Sequence, residues 1–359
     1  MSALKLRDIS KKFGENRVIR DLSLQVESGQ IYGLLGEPGC GKSTLLRILA
    51  GLEQPDGGSI SLNDNEITTA SPSERGFGYI LGESSLFLDK SVFDNVAFGL
   101  REKGSSAEEV IHKTNEALAH VGLEEHGRTK PDDLSGGEKL LVALARAIAS
   151  GPQMLVIDSP FSGLDTTTRE NTLEKYRHVI KGLGLTTIYA AHDYLEAFAL
   201  CDQAGLLKNG EIVQAGTPRD LYEHPATVFA AQMFGRNNFI TARRISFNNS
   251  DIQEFQTANG DHRLRTDKMD QRTLGAITQE ITLAIRPENI SISFGASFPE
   301  DNLLKAVVKD VRYQGATTRI ILDADGLMLE ALVLRLVGLD LFDECMVGLP
   351  PDRILVLKD

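Results

Sequence analysis

Nine residues near the N-terminus limit the fold more than any other feature of this 359-residue chain. Gly36-Glu37-Pro38-Gly39-Cys40-Gly41-Lys42-Ser43-Thr44 follow an apolar run, Ile31-Tyr32-Gly33-Leu34-Leu35, and lead into a helical one, Leu45-Leu46-Arg47-Ile48-Leu49. The pattern G-x-x-x-x-G-K-[ST] between strand and helix turns successive backbone N–H groups toward one point at a positive helix end, a nest for anionic oxygens. In such a loop Lys42 reaches the β- and γ-phosphates of a nucleotide and the Ser43 hydroxyl ligates Mg²⁺. Gly36, Gly39, Cys40, Gly41 and Thr44 complete the cradle, with Cys40 read as a small filler rather than a reactive thiol. A plain Gly-rich turn with a solvated lysine is the alternative, and the strand and helix on either side argue against it.

The rest of the chain fits a sheet built to carry that loop. Met154-Leu155-Val156-Ile157 and Thr186-Thr187-Ile188-Tyr189-Ala190-Ala191 are further apolar runs, as expected of central strands covered on both faces. Asp158 ends the first of them, where its carboxylate would face the loop across the C-terminal sheet edge and hold the Mg²⁺ hydration shell. Without the phosphate loop, an aspartate capping the next turn would be the better reading. The alternation of apolar runs and helical stretches predicts an α/β domain with a mostly parallel sheet over residues 1–238, with a helical subdomain at about 85–150. After Phe239 the helical signal fades. Short alternating segments such as Ile281-Thr282-Leu283-Ala284-Ile285 and Arg319-Ile320-Ile321-Leu322 predict a small all-β, barrel-like domain over 239–359. The turn-forming Gly235-Arg236-Asn237-Asn238 marks the expected boundary.

Composition narrows the class. A formal net charge of -12 argues against gripping nucleic acid phosphates. No apolar run approaches the ~20 residues that span a bilayer. Three cysteines (Cys40, Cys201, Cys345) make no disulfide framework and fit a reducing cytoplasm.

Leu134-Ser135-Gly136-Gly137-Glu138 resembles the signature motif of ATP-binding cassette (ABC) proteins, normally Leu-Ser-Gly-Gly-Gln. Physically, Ser135, Gly136 and Gly137 open a helix whose N-terminus can bind a γ-phosphate. The phosphate loop of the same chain is saturated by its own nucleotide, so this second anion-binding terminus must serve one held by another copy. The resemblance extends along the chain. Phe13 lies where the family stacks an aromatic on adenine, Asp158 matches the Walker B aspartate, and Ser162-Gly163-Leu164-Asp165 resembles the D-loop. His192 matches the switch histidine that senses the γ-phosphate. Gly210-Glu211-Ile212-Val213-Gln214-Ala215-Gly216-Thr217-Pro218 resembles the end of an importer cassette. Ile285-Arg286-Pro287-Glu288-Asn289-Ile290 resembles an element of the β-domain appended to importer ATPases.

The resemblance implies a P-loop NTPase cassette followed by an OB-like β-domain, with ATP and Mg²⁺ as cofactors. It further implies a homodimer beneath two transmembrane permease subunits at the cytoplasmic face of the inner membrane, fed by a periplasmic or surface solute-binding protein. Residues 83–100, ending Val92-Phe93-Asp94-Asn95-Val96-Ala97-Phe98-Gly99-Leu100, look most like ferric-iron-type cassettes, so iron is the expected solute.

Several positions depart from the family. Ser159 stands where a glutamate normally polarises the attacking water, and a hydroxyl without an adjacent base forfeits a general-base contribution of ~10²–10⁴-fold. Gly82 replaces the Q-loop glutamine; Glu83 lies beside it, but adjacent residues point in different directions, which argues against its standing in. Glu138 replaces the signature glutamine, and Pro38 removes one backbone N–H from the phosphate loop. His192, Asp165 and the Ser159 position therefore make up the expected catalytic set, with hydrolysis impaired. The competing readings are a non-hydrolysing, ATP-responsive ABC module and a soluble ABC ATPase of DNA repair or translation; the single cassette, the β-domain and the acidic charge count against the latter.

Overall fold

A computed structural model of the chain describes residues 2–81, 86–245, 252–267, 280–293, 302–334 and 338–357. The chain divides into two compact units, Met1–Asp220 and Leu221–Asp359.

The first unit opens with β1 (Ser2–Phe13), β2 (Asn16–Glu27) and β3 (Ile31–Leu35), then α1 (Lys42–Ala50), β4 (Gly57–Leu62), β5 (Asn65–Glu66), α2 (Pro72–Arg75) and β6 (Phe77–Ile80). Next come α3 (Val92–Glu102), α4 (Ala107–Val121) and α5 (Gly136–Ala149). The unit continues through β7 (Met154–Asp158), α6 (Thr166–Gly182), β8 (Thr187–Ala190), α7 (Tyr194–Leu200), β9 (Gln203–Lys208) and β10 (Glu211–Gly216). The strands form two sheets. One, in the order β10-β9-β3-β8-β7-β6, is parallel apart from the β9/β10 hairpin. The other, β2-β1-β4-β5, is antiparallel and was not expected from the sequence.

The three runs expected as central strands are β3, β7 and β8, and every residue of β3 and β8 is buried, as sheets covered on both faces require. Leu45, Leu46, Ile48 and Leu49 of α1 pack with Leu34, Val156 and Ile188 beneath and Leu4, Ile9 and Ile19 above, so α1 lies between the two sheets in one core. The expected helical subdomain is α3, α4 and α5. Serine caps start each of them, with Ser91 accepting from Asp94 N at 3.1 Å and Ser106 from Glu109 N at 3.2 Å.

Among its described residues the second unit holds two antiparallel five-stranded sheets. Their strands are β11 (Asn238–Arg244), β12 (Gln253–Thr257), β13 (Arg263–Thr266), β14 (Glu280–Ile285), β15 (Ser291–Ser293), β16 (Asn302–Tyr313), β17 (Thr318–Ala324), β18 (Leu327–Val333), β19 (Glu344–Leu349) and β20 (Leu355–Leu357). The orders are β13-β12-β11-β14-β20 and β15-β19-β16-β17-β18. Strict alternation along β11 and β17 sends Ile240, Ala242, Ile320 and Leu322 into one shared core, the barrel-like arrangement expected of an OB-like domain.

The division falls before Leu221, earlier than the expected 238/239. α8 (Pro218–Glu223) and α9 (Val228–Met233) bridge the interval. The guanidinium of Arg286, in the Arg-Pro-Glu element, lies 4.0 Å over the Tyr222 ring and donates to Tyr222 O at 3.0 Å and Arg236 O at 3.2 Å. Ala231 packs on Ala284 and Leu357. These contacts tie residues 222–236 to the β unit, so a turn signal near 235 does not mark the boundary.

Candidate functional site

β3 ends at Leu35, and the chain reaches α1 through Gly36, Gly39 and Gly41, whose φ values are 148°, 81° and 112°. A Cβ at 36 would fall 2.3 Å from Leu207 O, and one at 41 would fall 2.9 Å from Val18 O. Only glycine lets the loop lie that close to its neighbours. Lys42 folds back over the loop, its Nζ donating to Gly36 O at 2.6 Å and Glu37 O at 3.1 Å, with Cys40 Sγ at 3.8 Å. An ammonium resting on neutral acceptors gains by exchanging them for phosphate oxygens. Cys40 packs against the cassette core as a filler.

The Ser43 hydroxyl donates to Asp158 Oδ1 at 3.3 Å across the C-terminal sheet edge. A hydroxyl and a carboxylate converging in this way are a hard-oxygen pair of the kind Mg²⁺ takes, so the residues present fit that ion. An open cleft of about 520 Å³ joins these groups; Val18, Pro38, Lys42, Ser43, Thr44, Asp158, Ser159, Ser162 and His192 line it.

The remaining expected residues divide into those in the cleft and those outside it. His192, between β8 and α7, is in it. Ser159 is also in it, but its backbone has φ 45° and its hydroxyl and N–H both donate to Ala190 O at 3.0 Å. Asp165 is not among the lining residues; its carboxylate caps α6 by accepting from Thr168 N at 3.0 Å. The Thr168 hydroxyl, and then that backbone bond, hold its carboxyl below the usual range. Phe13 stands 50% exposed at the end of the β1/β2 hairpin, its ring 5.2 Å from Lys11 Nζ. An exposed aromatic face of this kind is what a base stacks on. Ser135 caps α5 away from the cleft of its own chain. Gly136 and Gly137 have a packing role that sequence reasoning missed. A Cβ on Gly136 would fall 2.8 Å from Leu164 Cδ2, and one on Gly137 would fall 2.8 Å from Thr172 Oγ1. Gly82 and Glu83 lie outside the described residues.

Two further residues support the site without a sequence signal. Arg75 is 1% exposed and donates to Ile48 O (2.6 Å), Leu49 O (2.7 Å), Thr68 O (2.7 Å) and Ala70 O (3.0 Å). It satisfies the C-terminal carbonyls of the helix that begins at Lys42. Tyr79 of β6, beside β7, has a buried hydroxyl with no hydrogen-bond partner among the described residues. Burial, and secondarily the Asp158 charge, push that phenol up to about 12.

Residues 19–162 match the ABC transporter family and residues 283–357 match the TOBE domain. Among curated relatives, the spermidine/putrescine import ATP-binding protein PotA of Thermotoga maritima is 34% identical over 89% of this chain and 86% of its own length. PotA of Marinobacter nauticus is 36% identical, over 88% and 82%. The sulfate/thiosulfate import ATP-binding protein CysA of Pectobacterium atrosepticum is 35% identical, over 89% and 86%. These are named for polyamines and sulfate, which corrects the expected ferric-iron type. Among solved structures, cbiO1 of Clostridium perfringens, part of the ABC transporter complex cbiONQ, superposes with a TM-score of 0.58 at 25% identity, covering 61% of this chain and 90% of its own. A nucleotide-free ATP-binding cassette from an ABC transporter gives 0.55 at 25% identity, over 60% and 92%. The phosphate loop, the Ser43–Asp158 pair, the capped signature helix and the trailing β-domain thus sit in one chain with these relatives, and the chain belongs to the ABC transporter family as an importer-type ATPase that takes ATP with Mg²⁺.

Proposed function

We propose that the chain energises uptake of a small solute by closing on ATP as a homodimer beneath two permease subunits, and that its hydrolytic step is slow. The observation that carries the reading is the single cleft in which Lys42, Ser43, Asp158 and His192 meet. Lys42 and the loop amides would hold the triphosphate, and Ser43 and Asp158 the metal. Mg²⁺, when bound, neutralises charge on the β- and γ-oxygens. Ser135 lies outside its own cleft, which supports its serving the nucleotide of a second copy. Asp165 keeps its carboxylate on α6, a positioning role for the segment after Ser162. Phe13 offers the adenine platform.

Slow turnover follows from Ser159. Its hydroxyl proton is spent on Ala190 O, and the one carboxylate among the described lining residues is Asp158, which the metal role already takes. Charge stabilisation by Lys42, His192 and the metal leaves residual catalysis, because positioning and neutralisation dominate phosphoryl transfer.

Among the described residues no helix is long and apolar enough to cross a membrane. Attachment to the cytoplasmic face through permease subunits fits that surface, with a solute-binding protein acting on the far side. The polyamine and sulfate relatives match at 34%, 36% and 35% identity, so the cassette reports the energising role better than the solute. Transport tests begin with spermidine. The reading is tested by calorimetry and by purification from membranes. Lys42→Ala is expected to abolish measurable Mg-ATP binding, and permease subunits are expected to co-purify with the parent chain. Unchanged nucleotide binding in Lys42→Ala would remove the basis of the proposal.

A further inference from the structure

α5 starts with an anion already in place. Ser135 donates its hydroxyl proton to Glu138 Oε2 at 2.7 Å and its backbone N–H to the same oxygen at 2.8 Å, while Glu138 N donates back to Ser135 Oγ at 3.3 Å. Such a reciprocal box ordinarily only secures a helix start. Here it occupies the donors that the trans reading assigns to a γ-phosphate. A hydroxyl has one proton, and one given to Glu138 is not available to a phosphate oxygen. The Ser135 hydrogen bonds hold the Glu138 carboxyl below the usual range, so it is fully ionised at neutral pH. An incoming γ-phosphate would therefore meet a like charge at the point where it needs a donor.

We infer that Glu138 is a positioning residue that gates closure of the ATP sandwich: its carboxylate must leave Ser135 before the γ-phosphate of a second copy can dock there. The inference rests on the trans role of Ser135 proposed above. The surroundings offer somewhere to go. Glu138 Oε1 lies 4.0 Å from His126 Nε2, in the turn Glu124–His126, and Lys175 of α6 also faces the carboxylate. The other ring nitrogen of His126 is buried without a hydrogen-bond partner among the described residues, so this imidazole can reorient without breaking a bond there. A rotation of Glu138 toward His126 and Lys175 frees the Ser135 hydroxyl and N–H together. The glutamine normal to this motif would fill the same box without charge, so the glutamate adds a barrier that the helix cap does not require.

The test is light scattering of the full chain titrated with Mg-ATP, for the parent and for Glu138→Gln, Glu138→Ala and Ser135→Ala, with Mg-ADP affinity measured alongside. Glu138→Gln keeps the box and removes the charge. The Mg-ATP concentration giving half-maximal dimer is expected to fall roughly tenfold in Glu138→Gln. Glu138→Ala is expected to shift it the same way despite a weaker cap. Mg-ADP affinity, which reads the chain's own cleft, is expected to hold in both. A parent-like Glu138→Gln, with Ser135→Ala unable to dimerise, overturns the gate and leaves the trans role standing. An ATP requirement unmoved in Glu138→Ala while its melting temperature falls also overturns the gate, leaving only a cap. No dimer in any variant at saturating Mg-ATP overturns the trans role and the gate with it.

Discussion

Ser159 combines a missing carboxylate with a left-handed backbone, φ 45°, in a non-glycine residue that is followed by Pro160. Such conformations persist where surrounding bonds over-determine them, and here both donors of Ser159 are fixed on Ala190 O. If the absent base is the main deficit, Ser159→Glu raises single-turnover hydrolysis by roughly 10²-fold or more. A parent already turning over at ~1 s⁻¹ would contradict the proposed slow step. Arg75 is the opposite case: nothing in the sequence marks it, because its partners are carbonyls of α1 and of the β5–α2 connection rather than a nearby acid. Arg75→Met should cost about 2–4 kcal/mol in urea unfolding, since several buried carbonyls lose a charged donor. A loss below about 1 kcal/mol would mean that water replaces it.

At the scale of elements, the starts of α1 and α5 were legible and close packing was not. Ser135 marks the start of α5 in the sequence because capping is local, whereas the cap that Asp165 makes on α6 was not read. The glycines of α5 read from sequence as an anion site, yet Gly137 also sits where a Cβ would meet Thr172 Oγ1 at 2.8 Å and Thr168 Cγ2 at 3.0 Å. Gly137→Ala is expected to destabilise the α5/α6 contact by about 1–3 kcal/mol, read by calorimetric melting. A stabilised Gly137→Ala would show that the helices give way and that the glycine serves the ligand alone. The β1/β2 pair escaped the sequence reading for a related reason. Its register slips several times along the two strands, which breaks the period-2 alternation that identifies a half-buried strand.

For the whole molecule, burial of phenols sets the alkaline limit of stability. Tyr32, Tyr176 and Tyr189 are pushed up by burial, and Tyr79 to about 12. A raised folded value means that folding holds the proton more tightly than the unfolded chain does. The stabilisation is therefore full below about pH 10, the unfolded phenol value, and is lost as pH rises toward and through the folded values. Ultraviolet titration of phenolate should show these four ionising late, together with loss of circular dichroism. Four early-titrating phenols in a still-folded chain would contradict the packing. The division before Leu221 belongs to this scale as well. Arg286 and Tyr222 are 64 residues apart in sequence, and their stacking assigns the linker to the β unit.

By itself the sequence determined the phosphate loop, the central strands, the Ser135 start of α5 and the alternating β-domain, because each is written in local spacing: glycines before a lysine, apolar runs, a serine before paired glycines, period-2 burial. Tertiary structure alone decided which of those residues meet. It brought Ser43 to Asp158, turned Ser159 onto Ala190, set Arg75 under α1 and withdrew Asp165 into a helix cap. Contacts between residues far apart in the chain depend on how sheets and helices stack, and no local period encodes that.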